Sequence, residues 1–351
     1  MKYFLSLVCI IKNEEYLEEF LLYHYLLGVE HFFIYDNEST IPLQKRLEHE
    51  FFRNVCTIIP FPGKVKQVEA YNHCINHTKQ LTEWLAIIDG DEFILPKNHD
   101  NLVDFLKNYK DYKAIGINWM NFGSNHHEKK QPGLLMKNYT LCEASQNKHV
   151  KTICKPLHVE KVNNPHFVVL HGGNGYVDAK KRPITEKFFN EKHTIDMIQI
   201  NHYWGKSYQE MNDKVERGRA TMNSKRTMPP NYHKLYNDRE ETLIIEKYHD
   251  KLKYLTGALK ADIDYYKIMN PDLKKSFKDN ESLYIKHLFK NGVKEKRPYH
   301  IYHIAPHFKA DIYQKNYPDL KKLKTNALIK HYIEYGLNEK RICHKLINVS
   351  S

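Results

Sequence analysis

The first hundred residues alternate short apolar runs with stretches of helical period. Phe4 to Ile11 is almost continuously apolar, as a buried strand requires. Leu17, Phe20, Leu21, His24 and Leu27 then recur at helical spacing, with Asn13 as the expected cap, Glu14 and Glu15 in the first turn and Gly28 as the stop. His31 to Tyr35 predicts a second strand, a basic helix follows around Leu43–Leu47, and Val55 to Pro60 predicts a third strand. Val68, Tyr71, Cys74 and Ile75 mark one face of another helix, and Trp84 to Ile88 the fourth strand. Such alternation predicts an α/β fold, a parallel sheet with helices on both faces. Ligands of these sheets bind at the carboxyl ends of the strands. Here those ends are Lys12-Asn13-Glu14, Asp36-Asn37 and Asp89-Gly90-Asp91.

From Tyr112 to Tyr203 short β-rich pieces alternate with loops rich in Gly, Asn and His, which predicts an antiparallel or mixed extension closing over the crevice. A charged helix begins around Lys206, and Met228-Pro229-Pro230 interrupts it. The last ninety or so residues repeat. Pro271-Asp272-Leu273 and Pro318-Asp319-Leu320 lie 47 residues apart, while Gly292 and Gly336 lie 44 apart, each followed by Glu-Lys-Arg. Units this small bury a face only by packing on a neighbour. The expected divisions are a first unit over 1–220, a helical linker over 221–258 and a two-copy helical repeat module over 259–351.

Lys and Arg exceed Asp and Glu by 54 to 42, a formal charge of +12, which favours anionic partners without choosing among them. The basic residues read as spread along the chain, and no nucleic-acid motif appears. The six cysteines lie far apart with no C-x-x-C, which suits a reducing compartment and gives no zinc module. No H-E-x-x-H occurs, so a zincin is excluded. The run after Lys2 lacks a small-residue cleavage site and reads as a strand rather than a signal peptide. No stretch approaches the ~20 apolar residues of a membrane span. The expected location is cytoplasmic, peripheral to a membrane at most.

Asp89-Gly90-Asp91 carries the sharpest chemistry. On an extended segment residues two apart face the same way, so both carboxylates would reach one divalent ion. Oxygen ligands suit Mg²⁺ or Mn²⁺, which neutralise a diphosphate. Asp-Gly is also ordinary turn chemistry, and its place after a buried strand is what raises the functional reading.

These residues, in this order, resemble glycosyltransferases of the GT-A fold, the family 92 and family-2-like group. The carrying segments are Cys9 to Glu14, Leu22 to Tyr25, Gly28 to His31, Tyr35 to Ser39, Gln67 with Ala70 to Asn72, and Trp84 to Phe93. Further on come Asn118-Trp119, Phe122 to Ser124, Asn201-His202-Tyr203, Lys206-Ser207 and Lys214 with Arg217. The resemblance covers about residues 4–219. It implies a GT-A, Rossmann-like nucleotide-sugar transferase domain and transfer of a sugar from a nucleotide diphosphate with inversion. A UDP-sugar is the favoured donor, and the acceptor is a glycan hydroxyl.

By the same resemblance Lys12, Asn13 and Glu14 underlie the nucleotide, and Asp36 stands near base and ribose. Gln67, Asn72, Lys206 and Arg217 join the donor-binding set. Asp89 and Asp91 hold the metal–diphosphate, and His202 completes the metal shell around Mn²⁺ or Mg²⁺. Lys214 is either a further diphosphate contact or part of a solvated helix face. The attacking hydroxyl needs a carboxylate base. Glu143 is the first choice, with Asp178, Glu191 and Asp196 behind it. The family places an Arg soon after that carboxylate, where this chain has Ala144-Ser145.

A sugar-nucleotidyltransferase is the second enzyme reading. It lacks its Gly-rich basic loop here, because Lys12-Asn13-Glu14-Glu15 follows the first strand. A non-catalytic glycan- or membrane-binding protein is the third. The expected partners are a nucleotide-sugar donor and a glycan or glycoconjugate acceptor, with peripheral contact to an anionic membrane and no nucleic acid. Paired histidines (His126-His127) and the set His158, His166 and His171 lack ligand spacing and read as hydrogen-bonding residues. Trp119 and Phe122 read as core or as sugar-stacking rings.

Overall fold

The computed structural model describes residues 1–186, 188–217 and 226–347. Two compact units divide the chain, Met1–Leu252 and Lys253–Ser351. The division falls inside the helix Leu243–Ala258, not at residue 220. The reason lies in side chains of the expected linker. Lys247 Nζ donates to Pro96 O at 2.9 Å and His99 O at 2.7 Å, and Tyr232 is buried.

The first unit is built on strands β1 (Tyr3–Ile11), β2 (His31–Asp36), β3 (Cys56–Pro60), β4 (Thr82–Ile87), β5 (Glu92–Pro96), β6 (Ala114–Asn121), β7 (Leu141–Cys142), β8 (Val150–Cys154), β9 (Val159–Asn164), β10 (Phe167–Leu170), β11 (Tyr176–Asp178) and β12 (Ile198–His202). The central sheet runs β3-β2-β1-β4-β8-β6-β12-β5, with β11 beside β6. The first four strands are parallel, as the alternating pattern requires. Val8, Phe33, Tyr35, Tyr71 and Leu85 share one core cluster. Packing on that cluster explains the apolar face of the helix Gln67–Thr78.

Beyond β4 the sheet becomes mixed. β8 pairs antiparallel with both β4 and β6, and β12 runs parallel to β6 and antiparallel to β5. The β-rich stretch expected as a cover over the crevice therefore largely continues the same sheet. Among the described residues β9 and β10 form one separate antiparallel pair, and β7 forms another with Arg239–Glu240. The class is mixed α/β, and the second unit is helical.

In that unit the repeated letters have a mechanical meaning. Tyr266 OH meets His287 Nδ1 at 2.8 Å, and Tyr313 OH meets His331 Nδ1 at 3.0 Å. A Cβ on Gly292 would lie 2.8 Å from Tyr266 Oη, and one on Gly336 2.5 Å from Tyr313 Oη, so each glycine makes room for the tyrosine of its own copy. Arg297 pairs with Asp272 at 2.8 Å and Glu295 at 2.6 Å; Arg341 pairs with Asp319 at 3.3 Å and with Glu339. The Pro-Asp-Leu and Glu-Lys-Arg motifs are thus the two ends of a clamp that closes each copy.

The charge is not spread evenly, contrary to the sequence reading. Residues 253–351 hold 20 Lys and Arg against 10 Asp and Glu, leaving 34 against 32 in residues 1–252. Among the described residues no helix is long and apolar enough to cross a membrane.

Candidate active site

Three strand-end loops meet at Gly90. A Cβ there would lie 2.6 Å from Ile11 Cδ1 and 3.3 Å from Glu14 Cγ, so glycine lets the loop after β4 press on the loop after β1. Asn37 N–H donates to Ile11 O at 2.8 Å, and Asn13 N–H to Ser39 Oγ at 3.2 Å, which ties in the loop after β2. The three polar clusters do converge.

Their members divide the work differently from expectation. Asn13 does not cap the helix Leu17–Leu26; its φ is 53°, and its Oδ1 accepts Thr40 N–H at 2.8 Å. Both Asp36 oxygens accept backbone N–H groups, from Ser39 and Leu43 at 3.0 Å each, so this carboxylate shapes the loop 37–43. Lys12 Nζ lies 3.9 Å from Glu38. Asn72 clamps β9, donating to Val162 O at 2.7 Å and accepting Val162 N–H at 2.8 Å.

Asp89 and Asp91 take different partners. The chain turns at Gly90–Asp91, with Glu92 N–H donating to Asp89 O at 3.1 Å, and an extended segment was the condition for a shared ion. Asp89 Oδ1 accepts from Gln67 Nε2 at 2.6 Å and Tyr71 OH at 3.0 Å, while Oδ2 lies 2.8 Å from Lys151 Nζ. Lys151 and Glu92 are fully buried, 3.6 Å apart. Burial pushes the Asp89 carboxyl up, but Lys151 outweighs it and holds the acid below its ordinary range.

Asp91 Oδ2 takes Lys214 Nζ at 2.6 Å, and Oδ1 lies 3.8 Å from His202 Nε2. Burial raises this carboxyl, and the ammonium groups of Lys214 and Lys206 work against that to hold it low. Burial likewise pulls the Lys214 ammonium below its ordinary value. A third pair, Lys206 Nζ with Glu14 Oε1 at 2.7 Å, stands beside them. Asn13, Glu14, Trp204, Lys206, Glu210 and Lys214 line a cleft of about 170 Å³. Glu210 is already bonded to Tyr16 OH at 2.8 Å, Tyr139 OH at 2.6 Å and Ser207.

His202 has the hydrogen bonding of a ligand. Its Nδ1 lies 2.9 Å from Asn121 Oδ1, which leaves the Nε2 lone pair toward Asp91. Burial lowers its pKa to about 4 against the pull of Asp91, so the ring is neutral. Asp91 and His202 therefore fit a divalent ion completed by donor oxygens and water, whereas Asp89 is engaged by Lys151, Gln67 and Tyr71. Among the described residues no group of three or more His, Cys, Asp and Glu is arranged to hold an ion by itself.

Glu143 is half-buried and is linked to His202 through Asn121. Its Oε1 accepts Asn121 N–H at 2.6 Å and Oε2 accepts Asn147 Nδ2 at 3.4 Å. Burial pushes its pKa up against those hydrogen bonds. The other carboxylates are elsewhere occupied or exposed. Asp178 is buried against Arg182 Nε at 2.7 Å, Asp196 is exposed and pairs with Lys180 at 2.8 Å, and Glu191 is exposed. Arg217 ends the helix Tyr208–Arg217, and its side chain lies outside the described residues.

Sequence reasoning missed Lys151, Asn121 and His149. A lysine inside the apolar run Val150–Cys154 was the available signal, since a charge on a buried strand needs a buried partner. Trp119 stands among three imidazoles, with ring centroids 5.2 Å from His149, 4.9 Å from His166 and 4.2 Å from His202. Burial lowers the pKa of His149, and that of His166 to about 3.

The sequence model of glycosyltransferase family 92 matches residues 7–234. A family 92 protein of Oryza sativa subsp. japonica is 28% identical over 222 residues, 61% of this chain and 35% of the relative. One from Ricinus communis is 27% identical over 220 residues, 60% of this chain and 37% of the relative. The chain spans little more than a third of the length of these curated relatives. Among solved structures, S. aureus TarS 1–349 in complex with UDP-GlcNAc aligns over 96% of this chain and 92% of its own, at 11% identity and a TM-score of 0.36. HddC from Yersinia pseudotuberculosis aligns over 50% of this chain and 90% of its own, at 10% identity and a TM-score of 0.31.

Proposed function

The chain belongs to glycosyltransferase family 92, and from that premise we propose that it moves a hexose from a nucleotide diphosphate donor to a glycan hydroxyl with inversion, using Mn²⁺ or Mg²⁺. UDP-sugars are the first donors to test. The observation that carries the reading is Asp91, its two oxygens divided between Lys214 and a neutral His202 where three strand-end loops meet.

In this reading Asp91 and His202 hold the ion, whose charge supplies electrostatic stabilisation to the departing diphosphate. Lys214 and Lys206 are the protein's own cations beside the cleft, each now paired with a carboxylate. A bound diphosphate competes for both ammonium groups. Asp89, fixed by Lys151, Gln67 and Tyr71, keeps the loop between β4 and β5 in place.

Glu143 takes the proton from the acceptor hydroxyl as that oxygen forms its bond to the anomeric carbon. The bond from that carbon to the diphosphate oxygen breaks, and its electron pair leaves with the nucleoside diphosphate. A carboxylate raised by burial is better matched to this task than an exposed one. The test is nucleoside diphosphate release from a panel of nucleotide sugars, with and without Mn²⁺. Absence of release or binding for every donor would count against the enzyme reading and favour a glycan-binding protein.

A further inference from the structure

Three imidazoles around Trp119 share one hydrogen-bonding state. His166 Nδ1 lies 3.1 Å from Val150 O, and a carbonyl only accepts, so Nδ1 carries the hydrogen. His149 Nδ1 lies 2.8 Å from Asn147 Oδ1, on an amide whose Nδ2 points to Glu143. His202 Nδ1 meets Asn121 Oδ1 in the same way. Each ring is thus committed to a donor at Nδ1 and a lone pair at Nε2. The ring of Trp119 touches all three imidazoles, and its indole Nε1–H is buried and finds no hydrogen-bond acceptor among the described residues.

Leaving a buried donor unmet is costly, and a core has no need of uncommitted imidazole acceptors on both His149 and His166 beside it. The set complements a neutral ring bearing several hydroxyls, each able to donate to an imidazole and accept from an indole. It is joined to the proposed chemistry at both ends. His202 borders Asp91, and His149 connects through Asn147 to Glu143.

We propose that Trp119, His149 and His166, with His202 at the diphosphate end, form the subsite for the transferred sugar of the donor, and that it selects a neutral hexose through its hydroxyls. This rests on the transferase reading above. It assigns sugar recognition to the residues between His202 and Glu143, and nucleotide recognition to other parts of the crevice.

The measurement is calorimetric binding of UDP, UDP-glucose, UDP-galactose and UDP-N-acetylglucosamine in MnCl₂. The proteins compared are the full chain, Trp119→Phe, His149→Ala and His166→Ala. Each variant is expected to keep its affinity for UDP within twofold and to weaken the tightest UDP-sugar about fivefold, the worth of one hydrogen bond. Trp119→Phe keeps the aromatic ring and removes only the N–H, so it answers even if His166→Ala does not fold. UDP and UDP-sugar affinities that fall together, or UDP-sugar affinities that do not move, overturn the subsite. A full chain that binds neither UDP nor any UDP-sugar overturns the donor reading itself.

Discussion

Glu143 and His202 are held by the same asparagine. Asn121 donates its backbone N–H to Glu143 Oε1 at 2.6 Å, and its side-chain Oδ1 meets His202 Nδ1 at 2.9 Å. The candidate base and the candidate metal ligand therefore share a rigid reference on β6. A change at Asn121 disturbs both, whereas a change at Glu143 leaves the imidazole in place.

Glu143→Gln keeps the shape and removes the basic oxygen. Turnover should fall ~10²–10⁴-fold, the usual share of general base catalysis. Donor affinity should stay within a factor of about two, because the variant leaves Asp91, Lys206 and Lys214 intact. Single-turnover kinetics beside donor calorimetry separate the two quantities. Near-normal turnover would remove Glu143 from the mechanism.

Asp91→Asn and His202→Ala should respond differently to Mn²⁺. The first removes the charge that binds the ion, and the second only a neutral ligand. Raising Mn²⁺ should restore much of the activity of His202→Ala and little of that of Asp91→Asn. Titrating activity against Mn²⁺, with EDTA as blank, decides it. Full wild-type activity in EDTA would falsify the metal assignment.

Lys151→Met tests the buried pair under the acidic loop. It strands the Asp89 carboxylate without its cation, and because the Asp89 side chain is 33% exposed the cost should fall below the about 3–5 kcal/mol of a fully buried pair. Adding Asp89→Asn to the same protein should return much of the loss. Urea unfolding of wild type, single and double variants measures it. Equal stability of single and double variants would show that Lys151 does not balance Asp89.

Much of the parallel half was legible because its signals are local. Apolar runs, helical spacing and polar strand ends placed β1 to β4 within a residue or two. The i, i+2 argument for the acidic motif assumed extended backbone, whereas the chain turns at Gly90 and gives each carboxylate its own lysine. That turn also concealed β5, whose first residue is the Glu92 that follows the motif. Lys151, Asn121 and the tautomers of His149 and His166 depend on contacts between distant segments, which no window of sequence contains.

Glu19 makes stability depend on pH. It is buried, it accepts Leu135 N–H at 2.7 Å and Met136 N–H at 3.1 Å, and burial outweighs those bonds to raise its pKa from 4.5 to about 7. A raised acid favours the folded state when protonated. Its contribution is complete below about pH 4.5 and is lost as pH rises through about 7, a difference of roughly 3 kcal/mol. Glu19→Gln should flatten this part of the stability–pH curve. Denaturant unfolding at pH 5 and pH 8 should show a smaller difference for the variant than for wild type.

The last prediction concerns the charge of the second unit. Its two arginines are taken by the clamps, so its excess is carried by lysines, which are exposed at the repeated positions Lys274, Lys275, Lys321 and Lys322. Lysine is a compact, hydrated point charge, suited to diffuse attraction rather than forked recognition of a single carboxylate. Tyr302, Tyr335 and Leu346 are more than half exposed in the same unit, at 56%, 53% and 57%. Apolar tips among lysines suit an anionic lipid surface, where each lysine contributes about 1 kcal/mol. The full chain should sediment with vesicles containing phosphatidylserine at low salt, leave them at high salt and ignore phosphatidylcholine. Replacing the four repeated lysines with glutamine should weaken binding at least about tenfold, well inside that allowance per charge. Arg297→Gln is the control, because it opens a clamp and removes an arginine already neutralised by Asp272 and Glu295. It should lower the stability of the unit and change vesicle binding little. If that variant loses vesicle binding while the lysine variant keeps it, the attraction does not come from the repeated lysines.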